Sequence, residues 1–538
     1  MSKHMNLLAM SIWLVGAGGC ATTHAPNQSA DTQTQIFEDM GPHRRTITTT
    51  SEMAQRYFDQ GLTWTYAFNH DEAIRSFTYA AESDPDCAMA WWGVALCQGP
   101  NYNDPVMTQE RSVAAWDAMQ KALARIENTT PVERALIDAL AHRYANPWPQ
   151  DRTDLEQAYA DAMAEVWAAY PNDADVGTLY AESMMIQNPW KLYSVEQVPA
   201  KDTGKIVAVL ERVMAMDPEN PGPNHLYIHA VEPSDNPDKG LVAADRLSDM
   251  VPGSGHLQHM PSHIYVKTGR WNRAIVQNEK AVRADATYRS LSPKQGIQYM
   301  YMVHNSHMLA YAAMMSGREQ EALAAARAMW VNVPEDALRD VGPFFDKWMC
   351  SVYDVQKRFG RWDDILAEEP PPSFLPITRA TWRASRAVAY AAKKDFENAE
   401  LEHEAFRRAV AAVPEELMWN NRDAVLKVLE VSDYFIAGEI ALQKGDWTLA
   451  AALLEESAAI EDTLTYGEPP QWLQPVRHTL GAVYLTSGLY AEAERVYRED
   501  LAKWRNNGWS LYGLSRALHE QGKIEEAREV ERQYWRAW

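Results

Sequence analysis

The chain has 538 residues, 46% of them hydrophobic and 23% charged, so it can bury a large core, and it carries a formal net charge of −22. That acidity excludes a nucleic-acid partner, which needs clustered Lys and Arg to neutralise phosphates, and excludes docking of the protein surface itself on anionic lipid. Four scattered cysteines without a CxxC pair (Cys20, Cys87, Cys97 and Cys350) exclude a disulfide scaffold and a thiolate zinc site.

Residues 1–20 read MSKHMNLLAMSIWLVGAGGC, with Lys3 as a short basic start, an apolar run from Leu7 to Val15 and small residues before Cys20. That is the make-up of a secretory signal, too short for a stable membrane span. The segment resembles a bacterial lipoprotein signal, which implies that Cys20 is lipidated as the first mature residue. Ala17 departs from the resemblance, because such signals usually carry Leu there, and plain secretion is the alternative. Ala21 after the cysteine, in place of Asp, implies the outer membrane facing the periplasm. Residues 21–45 are rich in Thr, Gln, Asn and Pro without an apolar period, and read as a flexible tether. No later stretch is long and apolar enough to span a bilayer, so membrane contact is expected through the lipid anchor alone.

From Tyr57 onward, small and aromatic residues recur at a helix–turn–helix period. In YFDQGLTWTYAFNHDEAIRSFTYAAESDP, Gly61 holds the small site of a first helix. Ala73, Phe77 and Ala80 line a second helix, and Pro85 closes it. Gly61 and Ala73 let two helices cross closely while Phe77 fills the gap to the next pair. Further copies carry Gly240, Ala244, Leu247 and Pro252; Ala274, Asn278 and Ala281; and Ala322, Ala326, Met329 and Pro334. Towards the C-terminus the pattern returns with Gly438 and Ala450, Gly481 and Ala493, and Ala527. The set resembles the tetratricopeptide repeat, whose unit is 34 residues. The resemblance spans nearly all of residues 50–538 and implies an all-α, right-handed solenoid of antiparallel helix pairs. Residues 190–204 and 364–376 interrupt the period as loops, the second as a hinge between an N-terminal half over 46–365 and C-terminal repeats over 366–538.

Seven of the fifteen histidines lie between His225 and His307. His225 and His229 are four apart, with Glu232 three further on. His256, His259 and His263 follow at i, i+3 and i+7, and His304 and His307 are three apart. Such spacings share one helix face. From His225 to His259 is 34 residues, and so is the step from His229 to His263. In the family the places they occupy line the concave groove, where first helices of adjacent repeats run roughly 8–10 Å apart. Imidazoles from several helices can then meet, and with a carboxylate they suit zinc, copper, iron or nickel. Glu182, expected on the same groove, is a candidate ligand or base, as is Glu232. Pro261 predicts a local helix start that swings His256 off the shared face, and Pro233 leaves Glu232 near a helix end.

In the C-terminal repeats, LTYGEPPQWLQPVRHTLG offers Tyr466, Glu468, Arg477 and His478 as groove contacts or as a loop that closes the solenoid. Asn101 and Asn103, in CQGPNYNDP, are candidates to reach the groove. No Gly-rich phosphate loop, GxSxG elbow or HExxH helix is present. The expected function is a metal-binding envelope lipoprotein, a metal-dependent hydrolase or oxidoreductase if the ligands leave a coordination position open. The alternative is an interaction scaffold that grips a peptide, a partner protein or a small ligand in the groove. A third reading is a pH-responsive groove of stacked imidazoles.

Overall fold

A computed structural model describes residues 35–538 except 293–295, 297, 334, 341 and 420–422. The signal sequence, Cys20 and most of the expected tether lie outside the described residues. Residues 36–538 form one compact unit, which runs across the hinge expected near 365.

The helices in order are α1 (Glu52–Tyr66), α2 (His70–Ser83), α3 (Ala88–Gln98), α4 (Gln109–Leu123), α5 (Pro131–Ala141), α6 (Thr153–Ala169), α7 (Ala174–Met185), α8 (Thr203–Met216) and α9 (Pro221–Val231). Then come α10 (Leu241–Leu247), α11 (Gly255–His259), α12 (Pro261–Lys267), α13 (Trp271–Leu291), α14 (Gln298–Met315), α15 (Glu319–Asn332), α16 (Glu335–Asp340), α17 (Gly342–Met349) and α18 (Ser351–Arg358). The remainder are α19 (Trp362–Ala367), α20 (Pro376–Ala392), α21 (Phe396–Val410), α22 (Val425–Lys444), α23 (Trp447–Asp462), α24 (Val476–Thr486), α25 (Tyr490–Lys503), α26 (Gly508–Glu520) and α27 (Ile524–Ala537). Among the described residues, the only strands form a hairpin in which Met418 faces Ala424 and Trp419 faces Asp423. The protein is an all-α repeat solenoid.

The helix pairs meet as the spacing of small residues predicts. A Cβ on Gly61 would stand 2.7 Å from the Phe77 ring and one on Gly93 2.5 Å from it, so one aromatic ring is wedged between two glycine faces. Tyr497 is wedged in the same way between Gly481 and Gly513, where a Cβ would come within 2.4 and 2.1 Å. Such contacts are closer than packed atoms tolerate, which is why a methyl group is missing at each. The loop expected over 364–376 is shorter, because α19 continues to Ala367. The cysteines Cys87, Cys97 and Cys350 are free and buried.

The array folds back on itself. Near its start, the Glu72 carboxylate accepts from Tyr288 Oη at 2.9 Å and Ser292 Oγ at 3.0 Å, and Gln298 Nε2 donates to the Phe68 carbonyl at 3.2 Å. Near its end, Trp271 Nε1 donates to the Arg505 carbonyl at 3.0 Å and Trp509 Nε1 to that of Met314 at 3.1 Å. The first and last repeats therefore both close on α13 and α14, around the histidine-bearing helices. The segment before α1 is also seated. Phe37 packs its ring 5.4 Å from Trp64, and Arg45 pairs both terminal nitrogens with Asp173 at 2.8 and 3.0 Å.

Candidate metal centre

The site is assembled from short, individually capped helices. Asn220 caps α9, its Oδ1 accepting from Gly222 N at 3.0 Å, and Pro221 takes the first turn, where no N–H is needed. Ser254 caps α11 by accepting from Leu257 N at 3.3 Å. These caps fix where each helix begins, and so which way His225, His229, His256 and His259 point.

Each of four imidazoles has one nitrogen tied to an acceptor. His225 Nδ1 lies 2.7 Å from the Tyr66 carbonyl, which can only accept, so Nδ1 carries the proton. His259 Nδ1 donates to Asn278 Oδ1 at 2.6 Å, and the amide's orientation is set because its Nδ2 donates to the Ala274 carbonyl at 2.8 Å. Glu232 takes two rings at once: Oε1 is 3.0 Å from His229 Nδ1 and Oε2 is 2.5 Å from His263 Nδ1. The Glu468 carboxylate reaches His263 Nδ1 as well. With Nδ1 held by an acceptor in all four, Nε2 is the nitrogen each ring turns inward; it is a free acceptor on a neutral ring and carries a proton on His263 while that ring is charged.

Those inward nitrogens converge. His259 Nε2 and His263 Nε2 are 2.7 Å apart. At that distance one proton or one cation lies between them: with His263 charged and His259 neutral it is the His263 Nε2–H proton, which a bound metal would displace. Ligand atoms of His225, His229 and His256 lie within 4.8 Å of one another, and so do those of His259, His263 and His304 and those of His229, Glu232 and His263. Opposed bonds of about 2.0–2.1 Å from one metal reach nearly that span. His225 Nε2, both ring nitrogens of His256 and His304 Nδ1 have no hydrogen-bond partner among the described residues. Buried polar atoms are ordinarily satisfied, so such a concentration is what a missing ligand would leave.

Burial sets the protonation. It drives His225, His256, His259 and His304 well below the ordinary imidazole value, and neighbouring imidazoles add to this. His263 goes the other way: burial lowers it, but the Glu468 and Glu232 carboxylates together push it up to about 10. Glu468 itself is pushed up to about 7 by burial and by Glu232. An aromatic wall surrounds the cluster, with Phe68 4.5 Å from His225, Tyr102 and Trp190 5.3 and 5.1 Å from His229, and Tyr301 4.4 Å from His256. Phe68 holds a left-handed backbone at φ 55°, a strained conformation for a bulky residue and one of the kind found where structure is held for function. His304 alone of the seven histidines is half-buried, against Trp348 at 5.7 Å.

Residues 66–98 and 478–538 match the tetratricopeptide-repeat family model. Both segments are tetratricopeptide repeats. No curated protein matches it. Among solved structures it is similar to the APC/C hetero-tetramer Cut9–Hcn1 (14% identity over 88% of this chain and 78% of that one, TM-score 0.30). It is also similar to the human IFIT1 dimer with m7Gppp-AAAA (13%, 91% and 91%, 0.32) and to the P58(IPK) TPR domain (11%, 87% and 98%, 0.23). At these TM-scores the likenesses bear on neither function nor site.

In this repeat solenoid the histidines expected on an open groove line a sealed interior: His225, His229 and His259 are fully buried. Pro261 does start a helix, but His256 stays with the cluster, its ring 4.9 Å from His225. Met260 at the junction keeps right-handed helical angles, so α11 runs on into α12. Glu232 ends α9 as the sequence predicts, yet still holds helical φ and ψ before Pro233. His307 packs on Trp348 at 5.9 Å outside the three donor groups, its pKa lowered to about 3 by burial and Lys347. Glu182 lies apart, under the influence of Arg143 and Glu156, where burial raises it to about 7.

Of the C-terminal candidates only Glu468 joins the cluster. Arg477 is bound to Asp462 at 2.9 and 2.6 Å. His478 bridges Arg358 and Asp500 at 2.7 and 2.9 Å, and Tyr466 lies under Lys267. From CQGPNYNDP it is Tyr102 that meets His229, while Asn101 Oδ1 accepts the backbone N–H groups of Asn103 and Asp104 at 2.9 Å. Asn278, Phe68, Trp190, Tyr301 and Trp348 are contributors the sequence reading did not place at the site. Asn278 could have been flagged as an amide at a repeat position that otherwise packs small apolar residues.

Proposed function

We propose that the buried histidine cluster is a transition-metal centre in an exported, lipid-anchored repeat protein. The observation that carries this is the convergence of two three-histidine donor groups in a buried space, with His259 Nε2 and His263 Nε2 2.7 Å apart and each Nδ1 anchored outside by Asn278 or by Glu232. Metal-binding histidines are held in this way by their second nitrogen. His225, His229 and His256 make one donor set and His259, His263 and His304 a second, which fits two neighbouring ions. All-imidazole donors favour zinc, copper or iron. Bound there, such an ion would supply Lewis-acid or redox chemistry. Glu468, pushed up to about 7 by burial, can hold or release a proton beside His263 near neutral pH, as a metal-dependent hydrolase or oxidoreductase requires.

The repeat family supports a second reading, an interaction scaffold for a peptide or partner protein. Its contact surface would lie away from His225, His229 and His259, which present no surface in the folded chain.

The test is mass spectrometry of tag-free protein purified from envelope and supernatant fractions, for metal content and for intact mass. Near-stoichiometric zinc, copper or iron that is lost in a His229→Ala/His263→Ala variant is expected. A mature chain that begins at diacylglyceryl-modified Cys20 is expected from the same preparation. No metal after reconstitution with each ion would overturn the centre, and an unmodified, unprocessed N-terminus would overturn the anchor.

A further inference from the structure

Lys267 stands one helical turn beyond His263 on α12 and so shares its face. Its amine lies 5.2 Å from the centroid of the Tyr466 ring and 5.7 Å from that of Trp504. All three line a cavity of about 480 Å³, inside the ~300–1,000 Å³ range of small-molecule sites. Pro233 and Gly467, the neighbours of Glu232 and Glu468, also line it, so the cavity abuts the carboxylate side of the histidine cluster.

Most of the charges around the cavity are committed to one another. Arg477 is bound by Asp462 and Glu499, the latter at 3.3 Å, and Arg505 pairs with Asp238 at 2.5 Å. Lys503 stands 3.9 Å from Asp462. Asp500 accepts from His478, Asn507 and Ser510, and Glu461 from the Val476 N–H at 3.0 Å. Lys267 makes no hydrogen bond and no ion pair among the described residues. Burial lowers its amine to about 8, although the Glu468 and Glu232 carboxylates work in the other direction.

We infer that this cavity binds a small organic monocarboxylate, its carboxylate on the Lys267 amine and its apolar body against Tyr466 and Trp504. An anion in the cavity supplies the partner that the amine lacks. The aromatic walls favour a planar or apolar body. The carboxylates of Glu461, Asp462, Glu499 and Asp500 around the same space oppose a dianion such as phosphate, which fixes the class as singly charged. The inference does not require a metal, although it places the ligand beside the proposed centre.

The experiment is calorimetric titration of the full mature chain with benzoate and indole-3-acetate, with benzamide as a neutral control and inorganic phosphate as a dianion. Saturable binding of an aryl carboxylate is expected, without binding of benzamide, and weaker by about tenfold or more in Lys267→Met, since a charge-assisted hydrogen bond is lost. Binding should survive in the His229→Ala/His263→Ala variant, which separates this inference from the metal reading. Binding lost in that variant and kept in Lys267→Met would place the carboxylate on the histidines and overturn it. So would the absence of aryl carboxylate binding, or phosphate binding as tight as benzoate. Should Lys267→Met fail to fold, Tyr466→Leu serves instead: it should weaken indole-3-acetate, and unchanged affinity would overturn the inference.

Discussion

A histidine becomes a ligand only if its other nitrogen is held, and Asn278 holds one with no freedom of its own. Its Nδ2 is spent on Ala274 of the preceding helical turn, so its Oδ1 must face His259 Nδ1, and His259 Nε2 must then face His263. Asn278→Leu keeps the volume close and removes the acceptor. Loss of a partner in the shell behind a metal ligand typically weakens metal binding about 10–100-fold. We expect that loss in competition titrations against a chelator. A structural cost of roughly 1–3 kcal/mol for the unpaired His259 N–H is expected as well. The two effects separate: a merely structural role would lower the unfolding midpoint and leave metal affinity per folded molecule intact. At this scale the sequence is informative about which histidines gather and nearly silent about what orients them. The 34-residue register placed His225 with His259 and His229 with His263 because repeats stack. The orienting groups are a backbone carbonyl, an amide in a packing position and a carboxylate 205 residues beyond His263, none of which has a local pattern.

Among elements, the segment before α1 carries the clearest pH dependence. His43 Nε2 lies 3.1 Å from Asp175 Oδ1, and Arg45 Nη1 is 3.2 Å from the other oxygen of the same carboxylate. Asp175 also accepts from Tyr66 Oη at 2.7 Å and Asn220 Nδ2 at 3.1 Å, so it joins this segment to α1 and to the cap of α9, the helix that bears His225 and His229. Burial works to lower the His43 pKa, but hydrogen bonding and charge from Asp175 raise it above 6.5. A raised folded value means that His43 contributes its stabilisation fully below pH 6.5 and loses it as pH climbs through the folded value. His43→Gln should therefore lower the unfolding midpoint relative to wild type at about pH 6. The gap should narrow as pH rises through the raised folded value. A gap that is constant with pH would show that the imidazolium is not what Asp175 holds. Composition alone marks residues 21–45 as a tether, because a strap held by two or three charged contacts has no apolar period to detect. The repeat helices were legible for the opposite reason: Gly61, Phe77 and Gly93, or Gly481, Tyr497 and Gly513, are paired by size and spacing, and sequence records both.

For the whole molecule, closure decides what the histidine array can do. A tetratricopeptide groove left open would present seven imidazoles to solvent; here the last repeats return to α13 and α14 and cover them. Trp509 is central to that return. It donates to the Met314 carbonyl at 3.1 Å, lies 3.7 Å under the Arg358 guanidinium and meets Trp538 edge-on at 5.0 Å. Contacts between residues some two hundred positions apart cannot be read from a period of 34, which is why an open groove was the natural expectation. Closure makes a prediction that needs no metal. Diethyl pyrocarbonate should modify the exposed His142 and His519 of the metal-free folded protein quickly and leave His225, His229 and His259 protected, as peptide mass spectrometry would read. Trp509→Ala removes the ring and its hydrogen bond from the seam between the last repeats and α14. Modification of the three central histidines should then accelerate, with His142 and His519 unchanged as internal controls. Equal protection in the variant would mean that the local helix packing around α9, α11 and α12, rather than the return of the C-terminal repeats, seals the cluster.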